Sequence, residues 1–119
     1  MRDGESASVL VFPVRPRPRV RVVLWEDPGR PDEDALGARL AADGYQAVRW
    51  SSEAAQGYPP HVHVYPELLW LVRGSLTVLL PAEDRMFELT PGDRIEIPQG
   101  TVHGTMAGPE GAAYLLATR

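Results

Sequence analysis

Cysteine and lysine are both missing from the 119 residues. Without cysteine there is no disulfide framework, no thiolate nucleophile and no thiolate zinc finger; the composition fits a reducing compartment, and the cytoplasm is the expected location. Without lysine every basic side chain is arginine, twelve against sixteen acids, and the net charge of −4 does not favour nucleic acid as a partner. Arginine-only usage and twelve prolines fit either a biased base composition or loops stiffened against heat. No apolar run approaches the roughly eighteen residues of a membrane span. The polar opening Met1-Arg2-Asp3-Gly4-Glu5-Ser6 does not read as a signal peptide, so no membrane is expected as a partner.

What is present describes one ordinary globular domain. The hydrophobic share is 44% and the charged share 24%, and the length suffices to bury a core without a metal or disulfide holding the fold together. The division expected is an N-terminal tail and extended arm over residues 1–18, then a single domain over 19–119. Within the arm, a short strand is expected at 9–12, and the spaced prolines and arginines of 13–19 favour an extended, polyproline-like path. Alternation predicts a strand at 19–25, ended by Pro28, Gly29 and Pro31. Asp32 or Asp34 then caps a helix running to about Ala42, with Leu36, Leu40 and Ala41 on one face and Gly44 as its stop. That small apolar face implies packing on the outside of a sheet.

The remainder reads as strand and turn. Strands are predicted at 45–50, through the first two histidines, at 68–72 and 75–80 on either side of an Arg73-Gly74 turn, and at 85–89. Further strands are predicted at 94–97 after a type II turn at Thr90-Pro91-Gly92-Asp93, at 101–106 and at 112–118. Many short strands with one helix indicate an antiparallel sandwich or barrel.

All three histidines fall between Gly57 and His103. In the run His61-Val62-His63-Val64-Tyr65-Pro66-Glu67, strand parity puts His61 and His63 on one face with Cα atoms about 7 Å apart. Pro66, which cannot donate to a ladder, marks a turn or bulge bringing the Glu67 carboxylate back towards them. With His103 these make a three-nitrogen, one-oxygen set suited to one divalent transition metal, Mn, Fe, Co, Ni, Cu or Zn, rather than to Mg or Ca. An isolated His-x-His pair is a weak signal, because a lone histidine on an apolar face is more often a hydrogen-bonded core residue.

The company of these residues sharpens the reading. His-x-His-x3-Glu-x6-Gly, ending at Gly74, is followed by Gly92-x5-Pro98-x-Gly100-x2-His103. The two together resemble the paired signature motifs of the cupin superfamily, over about the last two thirds of the chain. The resemblance implies an all-β fold, the double-stranded β-helix or jelly-roll barrel, with His61, His63, Glu67 and His103 as metal ligands inside it. Two positions depart from the pattern: Gly57 stands three rather than five residues before the first histidine, and Ala107 replaces a frequent asparagine. In such a barrel His103 would face the His61 strand across an interior about 10 Å thick.

Four protein ligands leave up to two positions on a six-coordinate metal. Parity would turn Leu69 and Leu71 as Glu67, and Thr101 and Thr105 as His103, with Trp50, Tyr58 and Tyr65 near the mouth; such an apolar, aromatic cavity suits a small organic ligand. The expected function is that of a metal-dependent cupin binding a small organic molecule, with its catalytic status open; one reading is an enzyme of oxygenase or isomerase type with Glu67 able to double as base. The alternatives are a non-catalytic binding or sensing module and a barrel with a purely structural metal. No catalytic residue beyond the four ligands is identified. Exposed edges and the extended arm lead to the expectation of a homodimer.

Overall fold

The computed structural model describes residues 18–119. The expected tail, the strand at 9–12 and nearly all of the proline and arginine run lie outside the described residues. Seven strands and one helix follow in order: β1 (Arg21–Val23), α1 (Glu33–Ala42), β2 (Gln46–Ser52), β3 (Gly57–His61), β4 (Glu67–Leu80), a 3-10 turn (Pro81–Glu83), β5 (Arg85–Leu89), β6 (Arg94–Ile97) and β7 (His103–Thr118). All pairings are antiparallel, in the order β1-β6-β4-β7-β2, with β3 added to β7 and β5 to β4. This is the expected all-β jelly roll with one helix in its N-terminal third. Among the described residues no helix is long and apolar enough to cross a membrane.

The sheet closes because its central ladder folds over on itself. If straight, the 14-residue β4 would hold its ends about 43 Å apart at about 3.3 Å per residue. β7 pairs with it from Leu68↔Ala117 to Leu79↔Gly104, so Glu67 and His103 lie near opposite ends of one ladder. Yet Nε2 of His103 is 3.6 Å from Oε1 of Glu67. The fold line runs through Gly74 and Gly111, at φ +81° and +79°, beside register shifts between Leu71/Arg73 and Gly74/Leu76. A Cβ on Gly74 would lie 2.0 Å from the Gly111 carbonyl oxygen, so both the left-handed backbone and the close approach require glycine.

Three expectations are corrected here. Residues 68–72 and 75–80 are halves of one strand rather than two strands about a turn, because pairing continues through Arg73↔Ala113 and Gly74↔Ala112. Residues 101–106 and 112–118 merge into β7 for the same reason. β1 is three residues long rather than seven, since it pairs only with the short β6, and the Trp25 amide donates to the Asp93 carboxylate at 2.8 Å instead of to a strand.

The first half of β4 buries both of its faces, while in the second half buried Leu76, Val78 and Leu80 alternate with half-buried positions. Leu69 and Leu71 join the interior with Leu76, Val78, Leu80, Ile95 and Tyr114. Leu68, Trp70 and Val72 point outward and are covered by Leu36 and Leu40 of α1. That is why the run Leu68-Leu69-Trp70-Leu71-Val72 is continuously apolar rather than alternating. The helix is set by its ends: the Asp32 carboxylate accepts from the Ala35 amide at 2.9 Å, and Gly44, at φ +85°, lets the Tyr45 amide reach the Leu40 carbonyl at 2.9 Å. Each buried leucine stabilises that docking by about 1.5–3 kcal/mol.

Candidate metal centre

His61 and His103 are direct partners in the β3–β7 ladder, with ring centroids 4.4 Å apart. The expectation that they face each other across the sandwich is corrected; Glu67, from the folded-over end of β4, is the group that comes from across the interior. Pro59 and Pro60 have no amide to give the ladder, so register shifts between Tyr58 and His61. The freed Pro59 carbonyl takes the Nδ1 proton of His61 at 3.0 Å.

His63 is not on the strand. β3 ends at His61, and His63 lies in the connection, where its carbonyl accepts from the Gly100 amide at 2.8 Å and Tyr65 stacks on its ring at 4.8 Å. Convergence therefore comes from this tether and not from strand parity; the His61 and His63 centroids are 4.7 Å apart. The turn through Pro66 does return Glu67, the first residue of β4, to the cluster.

The ligand atoms of His61, His63 and His103 all lie within 4.8 Å of one another. Glu67 sits against two of the three, with Oε1 3.6 Å from His103 Nε2 and Oε2 3.9 Å from His63 Nε2. These distances are too long for hydrogen bonds. Ligand atoms bound at about 2.1 Å to one ion stand about 3 to 4 Å apart, so a small contraction would close the set.

His103 supplies the clearest fit. Buried at the start of β7, it bonds through Nδ1 to the Thr101 carbonyl at 2.8 Å. A carbonyl only accepts, so the proton is on Nδ1 and the Nε2 lone pair faces the cluster. That Nε2 is buried with no hydrogen-bond partner among the described residues, an arrangement costing about 1–3 kcal/mol unless something else occupies the lone pair. The three imidazoles and the carboxylate fit a transition metal by donor chemistry and by this orphaned atom.

Burial alone would lower the His103 pKa, but the nearby Glu67 carboxylate and the Thr101 carbonyl, which favour the protonated ring, outweigh it and raise the value above the usual 6.5. The folded metal-free chain thus holds this proton more tightly than the unfolded chain. Its contribution to stability is present below the unfolded value and lost as pH rises through the folded one. Metal-free protein is expected to lose urea resistance through this group between about pH 6 and pH 8, while metal-loaded protein gains it, because a ligating imidazole must be neutral. Urea midpoints in chelator and in metal at both pH values check this; a metal-free midpoint that rises, or that moves equally in His103→Ala, would contradict it.

Around the cluster, Leu69, Leu71 and Thr105 are buried and take the interior positions expected of them. Thr101 lies before β7 rather than on it, and acts through its carbonyl. Trp50 of β2 and Tyr58 of β3 meet edge to face at 6.2 Å, the indole donating to the Tyr58 oxygen at 3.3 Å. Tyr65 is half-exposed beside His63.

Two inward polar residues escaped the sequence reading. Tyr114 is 3% exposed within the interior cluster, and Ser52, 6% exposed, lies 3.4 Å from its hydroxyl. Parity counted from His103 puts Tyr114 on the wrong face. The interior positions Thr105 and Ala107 are odd-numbered, but after the irregularity ending at Gly111 they become Ala112 and Tyr114. The Gly108-Pro109-Glu110-Gly111 segment was the signal that the count should be restarted.

No protein-family model matches the chain, and no curated protein matches it. Among solved structures it is similar to the polyketide cyclase RemF from Streptomyces resistomycificus, 28% identical over 66% of this chain and 58% of that one, with a TM-score of 0.58. It is similar to the DMSP lyase DddQ from Ruegeria pomeroyi DSS-3, 25% identical over 63% of this chain and 38% of that one, at 0.58. A cupin 2 domain-containing protein from Halorhodospira halophila is 23% identical over 85% of this chain and 77% of that one, at 0.64, a likeness of fold. The chain thus spans less than two thirds of the length of the cyclase and of the lyase.

Proposed function

The chain has the fold of the cupin superfamily, and from that premise we propose that it is a metal-dependent enzyme acting on a small organic molecule, with His61, His63, Glu67 and His103 as the metal's ligands. The observation that carries the proposal is the convergence of three imidazoles within 4.8 Å, one of them offering a buried, unpartnered Nε2. Similarity to a polyketide cyclase and to a lyase supports a small-molecule substrate.

A divalent transition metal held by these residues would supply Lewis acidity towards a carbonyl or enol oxygen, or a site for oxygen. The chain's own contribution is preorganisation. The Nδ1 protons of His61 and His103 are committed to the Pro59 and Thr101 carbonyls, so both Nε2 lone pairs are held towards the centre. Glu67 approaches two imidazoles from the opposite wall and can exchange ligation for accepting a substrate proton. Leu69 and Leu71 keep the inner wall apolar, which strengthens charge interactions at the site.

The test separates an open centre from a closed, structural one. Cobalt-substituted protein is expected to change its visible spectrum when millimolar oxalate or a 2-oxo acid is added. Glu67→Gln should alter that response more than it weakens metal binding. A tetrahedral cobalt spectrum indifferent to the anions would sink the enzyme reading and leave a metal that only pins the barrel.

A further inference from the structure

Among the described residues, Tyr114 is the one member of the buried apolar cluster filling the interior that carries a hydroxyl. It stands on β7 between Leu71 of β4 and Trp50 of β2, its register partners. Phenylalanine would fill the same space without burying an oxygen. The oxygen is poorly served: its partner is Ser52 Oγ at 3.4 Å, beyond the ordinary range for O–H···O bonds. Ser52 is itself buried. The neighbouring Tyr58 hydroxyl, by contrast, accepts from both Trp50 Nε1 and Gln56 Nε2, at 3.3 and 3.4 Å.

We propose that Tyr114, steadied by Ser52, is the second anchoring point for the ligand that the metal holds, donating its phenolic proton to a ligand oxygen. The substrate class follows: a small, mainly apolar molecule with two oxygen functions, one bound at the histidine cluster and one accepting from Tyr114. This rests on the metal-and-ligand reading above.

The phenol is a donor rather than a base. Burial raises its pKa above 10, a hydrogen bond to Ser52 opposes this, and the charges of Tyr58 and Glu67 add to the rise. It therefore keeps its proton at neutral pH. A hydrogen-bonding site built for an oxygen discriminates against analogues lacking it, because the donor is then left unpaired.

The test uses the full chain loaded with cobalt, as wild type, Y114F and S52A, titrated with oxalate, salicylate and acetylacetone. Cobalt content is measured before any probe is added. At least one probe should bind wild type, Y114F should bind it about tenfold or more weakly at unchanged cobalt content, and S52A should show a smaller loss. As a second measurement, 3-fluorotyrosine placed at position 114 should shift its fluorine resonance when the probe binds. Equal binding by Y114F, an unmoved resonance while the cobalt spectrum changes, or no binding by any probe to cobalt-loaded wild type would each overturn the proposal. A wild type that takes up no cobalt overturns the metal reading first, and the anchoring role falls with it.

Discussion

His103→Ala is expected to weaken metal binding by at least about 100-fold, since loss of a group that merely orients a ligand already costs about 10- to 100-fold. The substitution removes a buried imidazole whose Nδ1 is tied to Thr101 and whose Nε2 has no protein partner. Because the buried ring and its bond to the Thr101 carbonyl go with it, the metal-free fold should also lose about 2–4 kcal/mol, at alkaline pH as elsewhere. Competition against a chromophoric chelator measures the first effect and urea unfolding in chelator the second. Metal affinity within threefold of wild type would show that His103 is a core histidine and nothing more.

Gly74→Ala is expected to prevent folding or to destabilise by more than about 4 kcal/mol, a large part of the 5–15 kcal/mol that holds a typical domain together. A left-handed alanine costs about 1–2 kcal/mol by itself. The rest comes from a Cβ that would lie 2.0 Å from the Gly111 carbonyl oxygen and 3.1 Å from the Ala112 Cα, both backbone atoms that cannot swing aside. Gly44→Ala is the matched control, with φ +85° and nothing within 4 Å; it should cost only the backbone term of about 1–2 kcal/mol. Denaturation of the two variants side by side decides the matter. Equal losses would mean that the fold line at Gly74 and Gly111 does not hold the two halves of the ladder as closely as described.

The contrast between these glycines also shows what could be read before the structure was known. The bounds of helix α1 were legible, because a cap at Asp32 or Asp34, the apolar pair Leu36 and Leu40 and the stop at Gly44 are all local signals; the choice of Asp32 was not, and Ala41, expected on the same face, is exposed. The four candidate ligands were legible from spacing and resemblance, and all four meet at one end of the barrel. Strand continuity was not. Gly74 looks like a turn residue, and only pairing with a distant strand reveals that it bends β4 without ending it. One trace of this was nevertheless present: the interior leucines are odd-numbered at 69 and 71 but even-numbered at 76 and 80, a change of parity that a bulged strand produces and an uninterrupted one cannot. The same change hid Tyr114. His63 shows the opposite case, in which the right convergence was expected for a reason that does not hold, since a loop tether replaces strand parity.

The central claim is that His61, His63, Glu67 and His103 hold one transition-metal ion, and X-ray absorption at the metal edge of untagged protein, after incubation with Mn, Fe, Ni, Cu and Zn, tests it most directly. The account predicts close to one ion per chain, nitrogen and oxygen donors at about 2.0–2.2 Å, no sulfur, and the outer-shell scattering of three imidazoles. A chain that remains empty, or an ion bound without imidazole scattering, would contradict it.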